Sequence, residues 1–327
     1  MEMRPRAGCP KHMVMGPCGG VRRGGGCEVI AEPCVFAAPA QWPEPVPAVP
    51  LRRVPMILAD YTADPYSVPT LTTVAGTLAA GCDALLVGEH QNRPDFPPTL
   101  LASLLQAAGA TPWMTLACRD RNRVVLEQEL NGLRHLDVEA VLCVTGDARG
   151  YDVRPDVTQV FDLDGPRLAA LAAATGLTAA VPETPAAPPR DQRPERLAQK
   201  QRAGAGVAVL NHASVETVRA FMAGALRSGV TIPVIAGVAV FSDGPSAAIL
   251  TGLPGLELSA AAVRKVLSAA DPVEAGIAAA VREAAALLAI PGVAGVNLSG
   301  LGSARGHEYS ASVKAELARR IREQHAA

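Results

Sequence analysis

The sequence predicts a (β/α)₈ barrel carrying a small cysteine-rich module at its N-terminus. Eight short apolar runs, each turning polar or Gly-rich at its C-terminal end, alternate with helix-sized segments over most of the chain. No Gly-rich phosphate fingerprint follows the first run, which favours a closed barrel over an open doubly wound sheet. A chain of 327 residues that is 49% hydrophobic has length and apolar content for one barrel plus a small extra element.

Residues 1–34 read as the module. The stretch "CPKHMVMGPCGGVRRGGGCEV" is too polar and flexible for an ordinary helix or strand, and Cys9, Cys18, Cys27 and Cys34 are separated by eight, eight and six residues. In a reducing compartment such thiols argue for metal before disulfides. Four thiolates on a Gly-rich loop enclose one zinc or one iron–sulfur cluster, although the tight knuckle usual in tetrathiolate zinc sites is missing. Zinc is the expected metal, because a segment with so few apolar residues needs a staple to fold. An iron–sulfur cluster, the alternative, would make the module an electron entry port.

Residues 35–53, rich in proline and without apolar period, read as a linker. The barrel then occupies residues 54–327. Its strands are expected in "VPMILADY", "CDALLVGEH", "PWMTLACR", "AVLCVTGD", "LTAAVPE", "GVAVLNH", "IPVIAGVAVF" and "VAGVNLSG". Between them lie segments such as "NRVVLEQELNGLRHL", where Leu126, Leu130 and Leu133 fall at helical spacing and Asn122 is placed to cap the start. Cys82, Cys118 and Cys143 fall in or beside strands and read as core.

Thirty basic and 31 acidic residues leave a formal net charge of −1, so no global field attracts nucleic acid or anionic lipid. No uninterrupted apolar run reaches membrane-spanning length, and a cytoplasmic protein is expected.

In a barrel the active site lies where strands end, so the strand-end polar residues form a candidate list. It holds Asp60, Glu89, His90 and Arg119 from the first half of the chain, then Asp147, Glu183, Asn211, His212 and Ser299. Arg119 is the arginine of "CRDRNR" best placed for a ligand carboxylate or phosphate, with Arg121 and Arg123 expected to pair with Asp120 or neighbouring loops. His90 and Glu183 are expected to contact substrate, and His212 to sit on the rim, with a general-acid role as the alternative.

Two stretches carry a family resemblance. "TLACRDRNRVVLEQELNGL" followed by "VEAVLCVTGD", and later "VFDLDGPRLAAL", resemble the third-to-fourth strand region of methylenetetrahydrofolate reductases, particularly those of anaerobic one-carbon metabolism. The opening segment resembles the cysteine-bearing module that accompanies such reductases as a separate subunit or fused domain. The resemblance is strong over residues 9–34 and 112–171 and weak over 177–300.

The resemblance implies a barrel that binds a reduced folate across its strand ends and delivers a hydride to 5,10-methylenetetrahydrofolate, giving 5-methyltetrahydrofolate. It places Asp60 where the family has its acid, a Glu one methylene longer, roughly 1.5 Å of reach. It makes Asp147 a catalytic-site contact to pterin or cofactor, and aligns Asn211 with a pterin-binding Gln. Thr115 stands where a flavin-contacting His is expected, and "VPETPAAPPRDQRPE" keeps Pro182 and Glu183 but neither Tyr nor His of the corresponding segment. Aromatics are only 3% of the chain. These departures weigh against FAD and leave NAD(P)H as the expected donor, with a redox partner protein as a further partner. Redox-neutral one-carbon transfer and a non-catalytic folate-binding or partner subunit are the alternatives.

Overall fold

Eight parallel strands close into a barrel in chain order in the computed structural model, which describes residues 4–22, 24–36, 39–89, 93–147, 156–252 and 256–326. The strands are β1 (Ile57–Tyr61), β2 (Ala84–Val87), β3 (Pro112–Ala117), β4 (Ala140–Val144), β5 (Thr178–Glu183), β6 (Ala205–Leu210), β7 (Val234–Val240) and β8 (Val293–Gly300). Each coincides with one of the eight apolar runs. The helices are α1 (Val68–Ala79), α2 (Pro98–Ala107), α3 (Arg123–His135), α4 (Gly165–Thr175), α5 (Arg193–Arg202), α6 (Val215–Arg227), α7 (Gly244–Gly252), α8 (Ala260–Leu267), α9 (Pro272–Leu288) and α10 (His307–Ala326).

Strand alternation sorts side chains into two layers. Leu58, Leu86, Trp113, Leu142 and Val207 fill the lumen, while Ile57, Leu85, Val141 and Val181 pack outward against the helices. Helix α3 begins as the spacing predicts: the Asn122 side chain accepts from Val125 N–H at 3.0 Å, and Leu126, Leu130 and Leu133 are fully buried. Cys82, Cys118 and Cys143 are buried. Among the described residues no helix is long and apolar enough to cross a membrane.

The N-terminal segment has almost no regular structure, with one isolated antiparallel bridge between Gly26 and Pro33. It is nonetheless docked at the C-terminal ends of the strands. Lys11 Nζ donates to Gly146 O at 2.7 Å, Val14 N–H donates to Asp164 at 2.9 Å, and Arg193 donates to Cys18 O at 2.9 Å. The chain then descends along α5, where Trp42 N–H donates to Gln199 at 2.7 Å and Val46 N–H to Arg202 O at 2.8 Å. It reaches the opposite end of the barrel at Pro50, whose carbonyl accepts from Thr178 at the start of β5. A Cβ at Gly206 would overlap the Val49 carbonyl oxygen, so this passage requires glycine at the start of β6.

Candidate functional site

A cavity of about 480 Å³ opens at the C-terminal ends of the strands, roofed on one side by Lys11, Cys18, Gly19 and Gly20. Its floor is built from β1 and β8. Leu58 faces the lumen, so Asp60, two residues on, does also, and the β1–β8 register of Ala59 with Leu298 brings Ser299 beside it. Asp60 Oδ1 accepts from Asn297 Nδ2 at 2.8 Å and Oδ2 from Ser299 Oγ at 2.7 Å. Lys314 of α10 donates to the Asp60 carbonyl at 2.7 Å; burial pushes its pKa down, against the pull of Asp60.

Asp147 lies exposed on the loop after β4, on the cavity wall. The preceding Gly146 has φ of 92°, and a Cβ there would come within 2.9 Å of Arg119 Cβ, so the close passage of loop and arginine depends on glycine. Arg119 is only 3% exposed and pairs with Asp120 at 2.8 Å, its Nη1 reaching Asp147 O at 3.3 Å. The partner expected for Arg121 or Arg123 is therefore taken by Arg119, the arginine adjoining the buried strand. Arg121 pairs with Glu89 at 2.6 Å and Arg123 with Glu127 at 2.7 Å. Asn211 is exposed, with Nδ2 donating to Thr184 Oγ1 at 2.9 Å. His90 lies outside the described residues.

Glu183 borders the cavity but is 2% exposed and encircled by cations of α5: Lys200 Nζ at 2.7 Å, Arg193 at 3.4 Å and Arg196 at 3.7 Å. Burial alone would raise its pKa; Lys200, Arg196 and Arg193 together outweigh that and hold the carboxyl well below the usual range. Its position alternates with Pro182 and matches Val181, which points it toward the helix layer. That parity was readable in the sequence.

The expectation of a rim position for His212 is corrected. The side chain is 4% exposed, and Nε2 hydrogen-bonds Glu283 Oε1 of α9 at 2.7 Å. His212 thus lies on the cavity wall, held against α9 rather than standing free at the rim.

Two participants emerge only from the structure, and a third, Glu89, was already on the strand-end candidate list. Asn297 and Lys314 join Asp60 as described. Glu89 borders the cavity with its pKa raised to about 7 by burial, against the opposing pull of Arg121 and the Ala117 N–H. For Asn297 the available signal was its lumen-facing parity with Ser299.

The four module cysteines are partly buried and line one small cavity of about 20 Å³, with Cys18 and Lys11 on the walls of both cavities. Burial raises the Cys9 and Cys34 thiols, and the neighbouring cysteines add to the effect. Among the described residues no group of three or more His, Cys, Asp or Glu side chains is gathered closely enough to hold a metal ion as it stands. The Lys11–Glu28 ion pair lies between the two cavities, and a Cβ at Gly20 would overlap the Glu28 carboxylate.

Residues 2–42 match the family described as methylene-tetrahydrofolate reductase C terminal. An uncharacterized protein from Clostridium thermocellum that binds two copies of 5-methyl-5,6,7,8-tetrahydrofolic acid shares the fold, with TM-score 0.56 and 14% identity over 84% of this chain and 96% of that one. Tryptophan synthase from M. tuberculosis aligns with TM-score 0.44 and 15% identity, over 82% of this chain and 93% of that one. No curated protein matches the sequence.

Proposed function

We propose that this chain is a folate enzyme of the methylenetetrahydrofolate reductase type, converting 5,10-methylenetetrahydrofolate to 5-methyltetrahydrofolate in the cleft. The observation that carries this reading is one of place: the segment similar to the reductase C-terminal family roofs the cleft whose floor holds Asp60. The folate bound by the Clostridium protein of the same fold supports it.

Asp60 gives its proton to the N10 nitrogen of the folate. The bond from N10 to the bridging carbon breaks with its electron pair on N10, leaving an iminium at N5. A hydride from reduced nicotinamide then converts that carbon to methyl. Ser299 suits the proton transfer, because a hydroxyl donates to a carboxylate and accepts from a carboxylic acid. Asp147 and Asn211 hold the pterin. Arg119, buried and paired, supports the Asp147 loop, and Glu183 anchors α5 beneath the cleft. FAD is not part of the proposal: Tyr61 is the one aromatic residue on the cleft wall among the described residues, leaving little surface to stack on an isoalloxazine.

Cys9, Cys18, Cys27 and Cys34 line one small cavity, which supports a metal there, although the thiols are not gathered around one position as they stand. In this reading they hold zinc, which supplies folding energy to a segment with hardly any regular structure. An iron–sulfur cluster on the same thiolates would instead bring electrons to the cleft wall at Cys18, delivered by a redox partner protein.

The test is anaerobic turnover of 5,10-methylenetetrahydrofolate with NADH or NADPH, beside elemental analysis for zinc and iron. Asp60→Asn should lower kcat by about 10²- to 10⁴-fold while leaving 5-methyltetrahydrofolate binding within about threefold. Equal loss of binding and turnover would make Asp60 a binding or folding residue. Binding without turnover under any donor would leave a folate-binding subunit.

A further inference from the structure

Lys11 belongs to the N-terminal segment, yet it lies on the wall of the cleft with its side chain only 4% exposed. The residues that follow it fasten the segment in place. His12 Nδ1 donates to Phe161 O at 2.8 Å, Arg167 Nη2 donates to His12 O at 2.9 Å, and Val14 N–H donates to Asp164 at 2.9 Å. Residues 12–14 are thereby tied to the first turn of α4 and the chain just before it. Lys11 is left facing the loop after β4, where its Nζ donates to Gly146 O at 2.7 Å.

The Gly146 carbonyl belongs to the peptide plane before Asp147, and the Asp147 carbonyl to the plane after it. Peptide planes are rigid, so holding both restricts φ and ψ of Asp147 and sets the direction of its Cα–Cβ bond. Lys11 holds the first plane, and Arg119 Nη1 holds the second at 3.3 Å. The Lys11 bond is the shorter of the two, and it is charge-assisted in a buried setting, where such bonds are strong. Gly146 needs this support, because at φ of 92° it has no side chain to resist rotation. We propose that Lys11 is a positioning residue for Asp147: it fixes the loop so that the Asp147 carboxylate meets the pterin, and the cleft is incomplete without the N-terminal segment. This rests on the folate reading above, in which Asp147 holds the pterin. A residue from outside the barrel thus sets the affinity of the barrel for its ligand.

The test is a double-mutant cycle on the full chain, read by calorimetry with 5-methyltetrahydrofolate. Lys11→Met, which keeps the apolar stem of the side chain, should weaken binding by about tenfold, and Asp147→Ala by about tenfold or more. In the Asp147→Ala background Lys11→Met should weaken binding by less than about threefold further, because the residue it positions is gone. Lys11→Gln takes the place of the methionine variant if that chain does not fold. A loss of the same size with and without Asp147 would overturn the assignment, since the lysine would then only dock the segment. Unchanged binding in either single variant would overturn it too, and each of these results leaves a folate-binding cleft standing. A wild type that binds no folate would overturn the folate reading and this one with it.

Discussion

Glu183 shares a nearly water-free space with Arg193, Arg196 and Lys200, and its removal would leave three buried cations without a carboxylate. Glu183→Gln should therefore cost about 3–5 kcal/mol, read from the denaturant midpoint. Its folded pKa lies below the unfolded one, so its stabilisation is fully present above the ordinary value of about 4.3 and is lost as pH falls below that. The variant should lack this acid-dependent part. Glu89 behaves oppositely: burial holds it protonated up to about pH 7, and Arg121 is the leading influence that lowers it. Arg121→Met should move the Glu89 midpoint above about 7, followed by ¹³C NMR of its carboxyl, and a midpoint that stays or falls would refute the pairing. Asp60 and Asn211 could be placed at the mouth from the sequence because strand ends in a parallel barrel all open on one side. Asn297 escaped because it lies before the polar end of its strand. Only its hydrogen bond to a residue 237 positions away gives its amide a direction.

Helix α5 turns Arg193, Arg196 and Lys200, spaced i, i+3, i+7, onto one face, a pattern that in sequence reads as a solvated surface. The structure buries that face against Glu183 and against the module, whose Cys18 carbonyl accepts from Arg193. Helix α3 is the contrasting case, legible because its cap and apolar stripe are local. Asn122→Ala should cost about 1 kcal/mol through loss of the bond to Val125 N–H. The linker is an element of the barrel as much as a tether, since it descends along α5 and its Val49 carbonyl lies against Gly206. Gly206→Ala should lower stability by about 2 kcal/mol or more, because the obstructing atom is backbone and cannot rotate away.

At the scale of the whole molecule, a barrel and a nearly unstructured N-terminal segment are joined through Lys11, Arg193 and the carbonyls they hold. If a metal on the four cysteines stabilises that segment, chelation should loosen it enough for trypsin to cut after the already exposed Arg22 and leave the barrel uncut, as seen by mass spectrometry of the fragments. Cleavage at the same rate with and without chelator would remove the metal from the account. The sequence by itself determined the eight strands, the helices between them and the end of the barrel where chemistry belongs. Those follow from period, caps and the one-way polarity of parallel strands, all of which are local. Tertiary structure alone decided that the module roofs the cleft, that three cations of α5 surround Glu183, that His212 is buried against α9, and that Asn297 meets Asp60. Whether a polar side chain is solvated, paired or left open for a ligand depends on groups brought from distant parts of the chain, and no local pattern encodes that.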